Sequence, residues 1–314
     1  MNILGVRTDH DSSACLMQNG KIIADIAEER LSRSKNDSSF PIRAIEHCLN
    51  VGNIDSLDID ILAIPSLKFE SEFKIFFDIP EEILPAEKNS FIKNLYYSIK
   101  NYKPPVSTTV LPRYQKRFKL KKDCKIILID HHLCHISSAA FTSGINIENP
   151  VLGFTMDGIG DGTSAAVWKI QNNKIENLYR VGGEGSLGWY YSNATEGMGW
   201  RHGSDEWKLM GLAPYGKSEN KLPKDLCPKY KDGKLVVGYN FDEHGVWHDH
   251  GSNHYHGKVS DTFAEYYAKM RPENYACEVQ TNVENEAFNF IIPWIEKEKI
   301  FDIVCAGGFF LNVK

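Results

Sequence analysis

His131 and His135 stand four residues apart in the segment Asp130-His131-His132-Leu133-Cys134-His135. On a helix that spacing places both imidazoles on one face, where they can grip a single metal ion. Downstream runs Met156-Asp157-Gly158-Ile159-Gly160-Asp161-Gly162-Thr163. Glycines in such a turn let backbone amides approach a phosphate, and aspartates let a carboxylate approach a metal. Metal and phosphate chemistry side by side points to an enzyme of nucleotides. On a helix His132 would point about a hundred degrees away from the histidine pair and reads as a packing or capping residue. Cys134, a lone thiol at a helix start, reads as packing too.

The elements that must position these residues are legible around them. Lys125-Ile126-Ile127-Leu128-Ile129 is apolar and bounded by charge, as in a buried strand. It delivers the histidines to a helix continuing through Ile136 to Ser143. A second apolar strand, Ile303-Val304-Cys305, runs into Gly307-Gly308 and on to Asn312. Open backbone ahead of a helix N-terminus there suits a phosphate or a ribose.

The chain also repeats itself. Gly5 to Leu16 runs into Gln18-Asn19-Gly20-Lys21-Ile22, and Gly153 to Val167 runs into Gln171-Asn172-Asn173-Lys174-Ile175. Each copy reads strand, Asp-bearing turn, strand, tight Asn turn, strand. The expected halves are 1–148 and 149–314. A helix near Pro41 to Val51, a strand at Ile59 to Ile64 and a helical stretch around Phe91 to Tyr97 complete the first, giving βββαβαβα with a mixed sheet. The second half is expected to be truncated and to carry an irregular insertion at about 216–261. A helix with Val279, Val283, Ala287, Phe290 and Trp294 on one stripe follows, with Pro293 expected to kink or end it. Paired turns facing each other across a cleft, at His10 and Asp157, are the arrangement of the actin-like ATPase fold.

Composition is that of an ordinary globular protein: 42% apolar and 25% charged residues, with a net charge of −5. The charge gives no general attraction to nucleic acid, so no DNA partner is expected. No signal peptide or membrane span is expected, and the seven cysteines, none in a CxxC pair, suit reduced thiols and a cytoplasmic location. Five histidines between His244 and His256 have the density of a zinc tract, but the Gly, Asp and Asn among them favour a surface loop.

In family order, the segments His10-Asp11-Ser12-Ser13-Ala14, Glu28 to Lys35 ending at Phe40-Pro41, Asp130 to His135, Asp157 to Gly162, Leu187-Gly188-Trp189-Tyr190-Tyr191, Lys208 to Gly216 and Gly307-Gly308-Phe309-Phe310-Leu311-Asn312 resemble the O-carbamoyltransferases of antibiotic and nodulation-factor biosynthesis. The match covers nearly the whole chain, with Trp207 standing where the family pattern suggests a small residue. The resemblance implies two steps. A C-terminal domain makes carbamoyl-adenylate from ATP and carbamoyl phosphate. An N-terminal domain, similar to the tRNA threonylcarbamoyl transferases, passes the carbamoyl group to a hydroxyl of a small molecule. This chain resembles the N-terminal domain; the adenylate-forming domain and a third, aspartate metal ligand are expected outside these residues.

By the same resemblance, His131 and His135 hold Fe2+ or a similar divalent metal. His10, with Asp11, is the base for the acceptor hydroxyl. Asp157, Gly158, Gly160, Lys208, Gly307, Gly308 and Asn312 meet the nucleotide. The alternatives are a transferase acting on tRNA and a truncated, non-catalytic nucleotide-binding subunit.

Overall fold

The computed structural model describes residues 1–8, 10–85, 117–238 and 258–313. They form two compact units, Met1–Asp130 and His131–Lys314. The expected helix around Phe91 to Tyr97 and the histidine tract His244 to His256 lie outside the described residues.

In the first unit, β1 (Asn2–Arg7) pairs antiparallel with β2 (Ser13–Gln18), and β2 with β3 (Lys21–Ala27). Period-two alternation buries Leu4 and Val6 on β1, and Ala14 and Leu16 on β2. The β2–β3 turn is Asn19-Gly20, with φ of 51° and 80°, the left-handed pair that a two-residue hairpin requires. α1 (Glu28–Ser32) leads to α2 (Ile42–Val51), which buries Ala44, Ile45, Cys48 and Leu49 on one face. Glu28, which the charge run would leave in solvent, is only 3% exposed. Its carboxylate accepts the α2 amides of Ala44 (2.7 Å) and Arg43 (3.3 Å), which have no partner within the helix. β4 (Ile61–Ile64) joins β1 in parallel. Then come α3 (Ser71–Phe76) and the short pair β5 (Phe77–Asp78) and β6 (Phe118–Lys119). β7 (Lys125–Leu128) completes the five-stranded order β3-β2-β1-β4-β7.

The second unit begins with α4 (His131–Thr142). The sequence boundary near 148 would put this helix in the first half. Its Ile136 and Ala140 instead share a core with Val151, Ala166, Trp168, Ile170 and Val304, so packing assigns it to the second unit. Strands β8 (Val151–Gly160), β9 (Thr163–Gln171) and β10 (Lys174–Gly182) form an antiparallel meander, with Asn172 and Asn173 at φ of 50° and 61° in the β9–β10 turn. Helices α5 (Leu187–Gly197) and α6 (Glu206–Leu212) follow, then the hairpin β11 (Lys229–Lys231) and β12 (Lys234–Val237), then α7 (Lys258–Tyr267) and α8 (Pro272–Glu298). β13 (Ile303–Ala306) lies parallel to β8 in the order β10-β9-β8-β13. Both sheets are mixed and share the order third, second, first, then a parallel strand, as expected for a duplicated actin-like α/β fold.

Two expectations are corrected here. The region after Gly216 contains a hairpin, whose Asp232-Gly233 turn carries φ of 52° and 75°. And α8 runs on beyond Pro293 to Glu298 rather than ending there. Proline has no N–H to give the carbonyl four residues back. That carbonyl, of Asn289, accepts the Gly233 N–H at 3.1 Å instead, while Trp294 Nε1 donates to the Gly233 carbonyl at 2.8 Å. The hairpin turn thus satisfies the helix at the point where proline leaves it short.

α8 also holds the chain before that hairpin. Glu278, 2% exposed, accepts the Leu222 amide at 2.7 Å and the Glu219 amide at 3.1 Å. Glu278→Ala strips both of their acceptor, and a stranded buried amide costs about 1–3 kcal/mol. Urea unfolding of this variant is expected to show a loss of about 3 kcal/mol.

Candidate metal centre

β8 places the carboxylate of the site. Along β8, Met156 pairs with Ala165 and the next register pair is Gly160 with Thr163. Three residues of β8 therefore oppose one of β9, a bulge that takes Asp157 out of simple alternation. Ser186, the N-cap of α5, locks this bulge. Its hydroxyl donates to the Gly158 carbonyl at 2.6 Å and accepts the Trp189 N–H at 3.0 Å. The Leu187-Gly188-Trp189 motif thereby acts through its capping serine, which the sequence reading did not single out.

α4 places the imidazoles. It begins at His131, where Asp161 in the β8–β9 turn accepts the N–H of that residue at 3.0 Å. His131 is the first helical residue and His135 stands one turn later. His131 Nε2 and His135 Nε2 are 3.0 Å apart, and each lies 3.0 Å from Asp157 Oδ2. The three side chains are between 18% and 23% exposed, sheltered but open on one side. Burial raises the Asp157 pKa, but the hydrogen bonds from both histidines and from the Gly158 N–H, at 2.8 Å to Oδ1, outweigh it. The net effect holds the carboxyl well below the usual range, so Asp157 is a carboxylate.

Two imidazoles and one carboxylate form the donor set of a facial divalent-metal site. Donors about 2.1 Å from one ion, at right angles, stand about 3.0 Å apart. The spacing here fits such an ion, and this is the one cluster of three such donors among the described residues. Asp157, assigned to the nucleotide in the sequence reading, thus sits with the histidine pair. The bulge that brings it there leaves no mark in residue types.

Glycines make the close approach possible. A Cβ on Gly160 would fall 2.1 Å from His131 Cδ2, so the ring rests on bare backbone. Gly307, at φ 106°, lies against the Met156 carbonyl, which a Cβ would meet at 2.2 Å. The first atom of a side chain on Gly308 would stand 2.8 Å from Asp157 Oδ1. At Gly158, Gly160, Gly307 and Gly308 the lack of a side chain therefore lets neighbouring groups close in around Asp157 and the histidines.

His132 faces inward, fully buried. Its Nε2 lies 2.9 Å from the Thr163 carbonyl and its Nδ1 2.9 Å from Thr155 Oγ1. Burial pushes its pKa down to about 4.

The other predicted residues make contacts of their own. Lys208 pairs with Asp205 at 2.9 Å and lies over the rings of Trp200 and Trp207. Asn312 exchanges two amide hydrogen bonds with Gln280 on α8, at 2.9 and 3.1 Å. His10 and Asp11 belong to the first unit. His10 Nδ1 stands 3.1 Å from Asp11 Oδ2, with the Arg7 guanidinium 3.3 Å from Nε2. The ring is exposed, and Asp11 holds a left-handed φ of 57°.

Comparison with known proteins gives the chain's family. The family model described as carbamoyltransferase N-terminus matches residues 2–314. The nodulation protein NolNO of Sinorhizobium fredii is 30% identical over 210 residues, covering 66% of this chain and 28% of that protein. An uncharacterized Synechocystis protein is 30% identical over 244 residues, covering 74% and 36%. One from Methanocaldococcus jannaschii is 26% identical, covering 100% and 57%. The chain thus spans between 28% and 57% of the length of these relatives. Among solved structures, component A of (R)-2-hydroxyglutaryl-CoA dehydratase from Acidaminococcus fermentans aligns over 99% of this chain and 85% of that one, at 11% identity and a TM-score of 0.42. A putative N-acetylmannosamine kinase from Listeria monocytogenes aligns over 99% and 84%, at 8% identity and a TM-score of 0.39. Among the described residues no helix is long and apolar enough to cross a membrane. With the family model matching from residue 2 to residue 314, the chain belongs to the carbamoyltransferase family and corresponds to its N-terminal region.

Proposed function

We propose that this chain is the transfer domain of an O-carbamoyltransferase, moving a carbamoyl group from carbamoyl-adenylate to a hydroxyl of a small molecule. The observation that carries the reading is the cluster of His131, His135 and Asp157 bordered by Gly158, Gly307 and Gly308. Iron or a similar divalent ion held by those three side chains would supply a Lewis acid and positive charge for carbonyl and phosphate oxygens. The backbone around Gly158, Gly307 and Gly308 would bind and orient the adenylate beside that ion. His10 accepts the proton of the acceptor hydroxyl, with Asp11 holding its Nδ1 side. The hydroxyl oxygen bonds to the carbamoyl carbon, the carbon–oxygen bond to phosphate breaks, and AMP leaves with the electron pair. The carbamoyl-adenylate itself comes from ATP and carbamoyl phosphate, a step assigned to an adenylate-forming domain and not to these residues.

Supplying preformed carbamoyl-adenylate separates transfer from adenylate formation. With Fe2+ present, the chain is expected to produce carbamoyl esters of hydroxyl-bearing small molecules, detected by mass spectrometry together with released AMP. AMP release without any ester, across a panel of hydroxyl-bearing acceptors, would refute the assignment. Modification of tRNA under the same conditions would move the chain to the tRNA reading, which its net charge of −5 disfavours.

A further inference from the structure

His132 is not among the three clustered donors, yet it is the most buried of the histidines on α4. Its contacts form a chain whose direction is fixed at both ends. An indole N–H can only donate, so Trp168 Nε1 donates to Thr155 Oγ1, at 3.0 Å. A carbonyl can only accept, so His132 Nε2 donates to the Thr163 carbonyl, at 2.9 Å. Nδ1 of the neutral ring is then an acceptor. The Thr155 hydroxyl gives it a proton at 2.9 Å, a better bond than the 3.5 Å alternative to the Ala166 carbonyl.

This chain joins the parts that carry the donors. Thr155 stands two residues before Asp157 on β8, and His132 follows His131 directly on α4. Asp161 anchors the first residue of α4, and one turn and two turns further on the helix packs through apolar Ile136 and Ala140. Apolar burial is non-directional, so it leaves a helix free to rotate or slide by small amounts. A donor set with 3.0 Å spacings tolerates only about 0.5 Å of such freedom.

We propose that His132 and Thr155 are positioning residues for the His131, His135 and Asp157 triad, setting the rotation and depth of α4 on β8. The functional consequence rests on the metal reading above; the positioning itself is a property of the metal-free chain.

The test uses the whole chain and two substitutions at one atom. Thr155→Val keeps the shape and removes the hydroxyl, whereas Thr155→Ser keeps the hydroxyl. Co2+ affinity, measured by calorimetry, is expected to fall about tenfold in Thr155→Val and to stay within about twofold in Thr155→Ser. In the metal-free protein, the imidazole nitrogen resonances of His131 and His135 are expected to shift in Thr155→Val and not in Thr155→Ser. His132→Gln keeps a donor for the Thr163 carbonyl but loses the acceptor opposite Thr155, and is expected to behave as Thr155→Val even if the latter folds poorly. A lower melting temperature with unchanged Co2+ affinity and unchanged resonances would overturn the proposal, leaving His132 a satisfied core histidine. Shifted resonances in a chain whose wild type takes up no Co2+ would uphold the positioning and remove the metal reading alone.

Discussion

His135→Ala is expected to abolish stoichiometric metal binding, with affinity for Fe2+ or Co2+ falling by more than about a hundredfold. The substitution removes one of three donors whose mutual distances are all 3.0 Å. Two remaining donors cannot enclose a divalent ion that the three hold as a face. Asp157→Asn is expected to match it, because the set of three donors loses its one carboxylate while keeping its shape. His132→Ala is the contrasting variant. Its imidazole points into the core, so the ion should still bind, though more weakly. Metal content of purified protein and calorimetric titration with Co2+ read all three. Equal metal retention in His135→Ala and His132→Ala would eliminate the assignment.

Carbamoyl transfer is the second place where a large effect is expected. His10→Asn should lower the rate of transfer from preformed carbamoyl-adenylate by about a hundredfold to ten-thousandfold, the usual contribution of a positioned base. An alcohol is far too weak an acid to release its proton at neutral pH unaided. Asparagine retains a polar amide near the Asp11 carboxylate, so the turn itself should survive. Adenylate binding, measured by calorimetry with AMP, should remain within a few-fold of wild type, because His10 lies in the first unit and the glycine-bordered carboxylate in the second. Undiminished transfer would remove His10 as the base. Loss of AMP binding together with transfer would make the role of His10 structural.

Much of this protein is written locally. Asn19-Gly20 and Asn172-Asn173 announce two-residue hairpins because few other residues tolerate two successive left-handed conformations, and both turns adopt them. The repeat of strand and turn order therefore reads as duplication, and the two sheets share their strand order. Val279, Val283, Phe290 and Trp294 mark the buried face of α8 because helical periodicity is a one-dimensional property. The spacing of His131 and His135 places both on one face for the same reason. The Asp232-Gly233 turn carries the same kind of signal, set among polar residues that read as an irregular insertion.

What the tertiary structure decided are the features that depend on partners distant in sequence. Asp157 joins the histidines because β8 bulges by two residues against β9, and Ser186 from α5 locks the bulge. No local pattern encodes a register shift whose cause lies on another element. α8 continues through Pro293 because Gly233 takes the carbonyl that proline leaves unpaired. Glu28 is buried in a stretch of charge because the start of α2 presents amides that need an acceptor. Residue type and spacing thus determined which groups are available and which elements carry them. Satisfying buried polar groups across the fold decided where those elements start, bend and meet, and so which carboxylate stands beside His131 and His135.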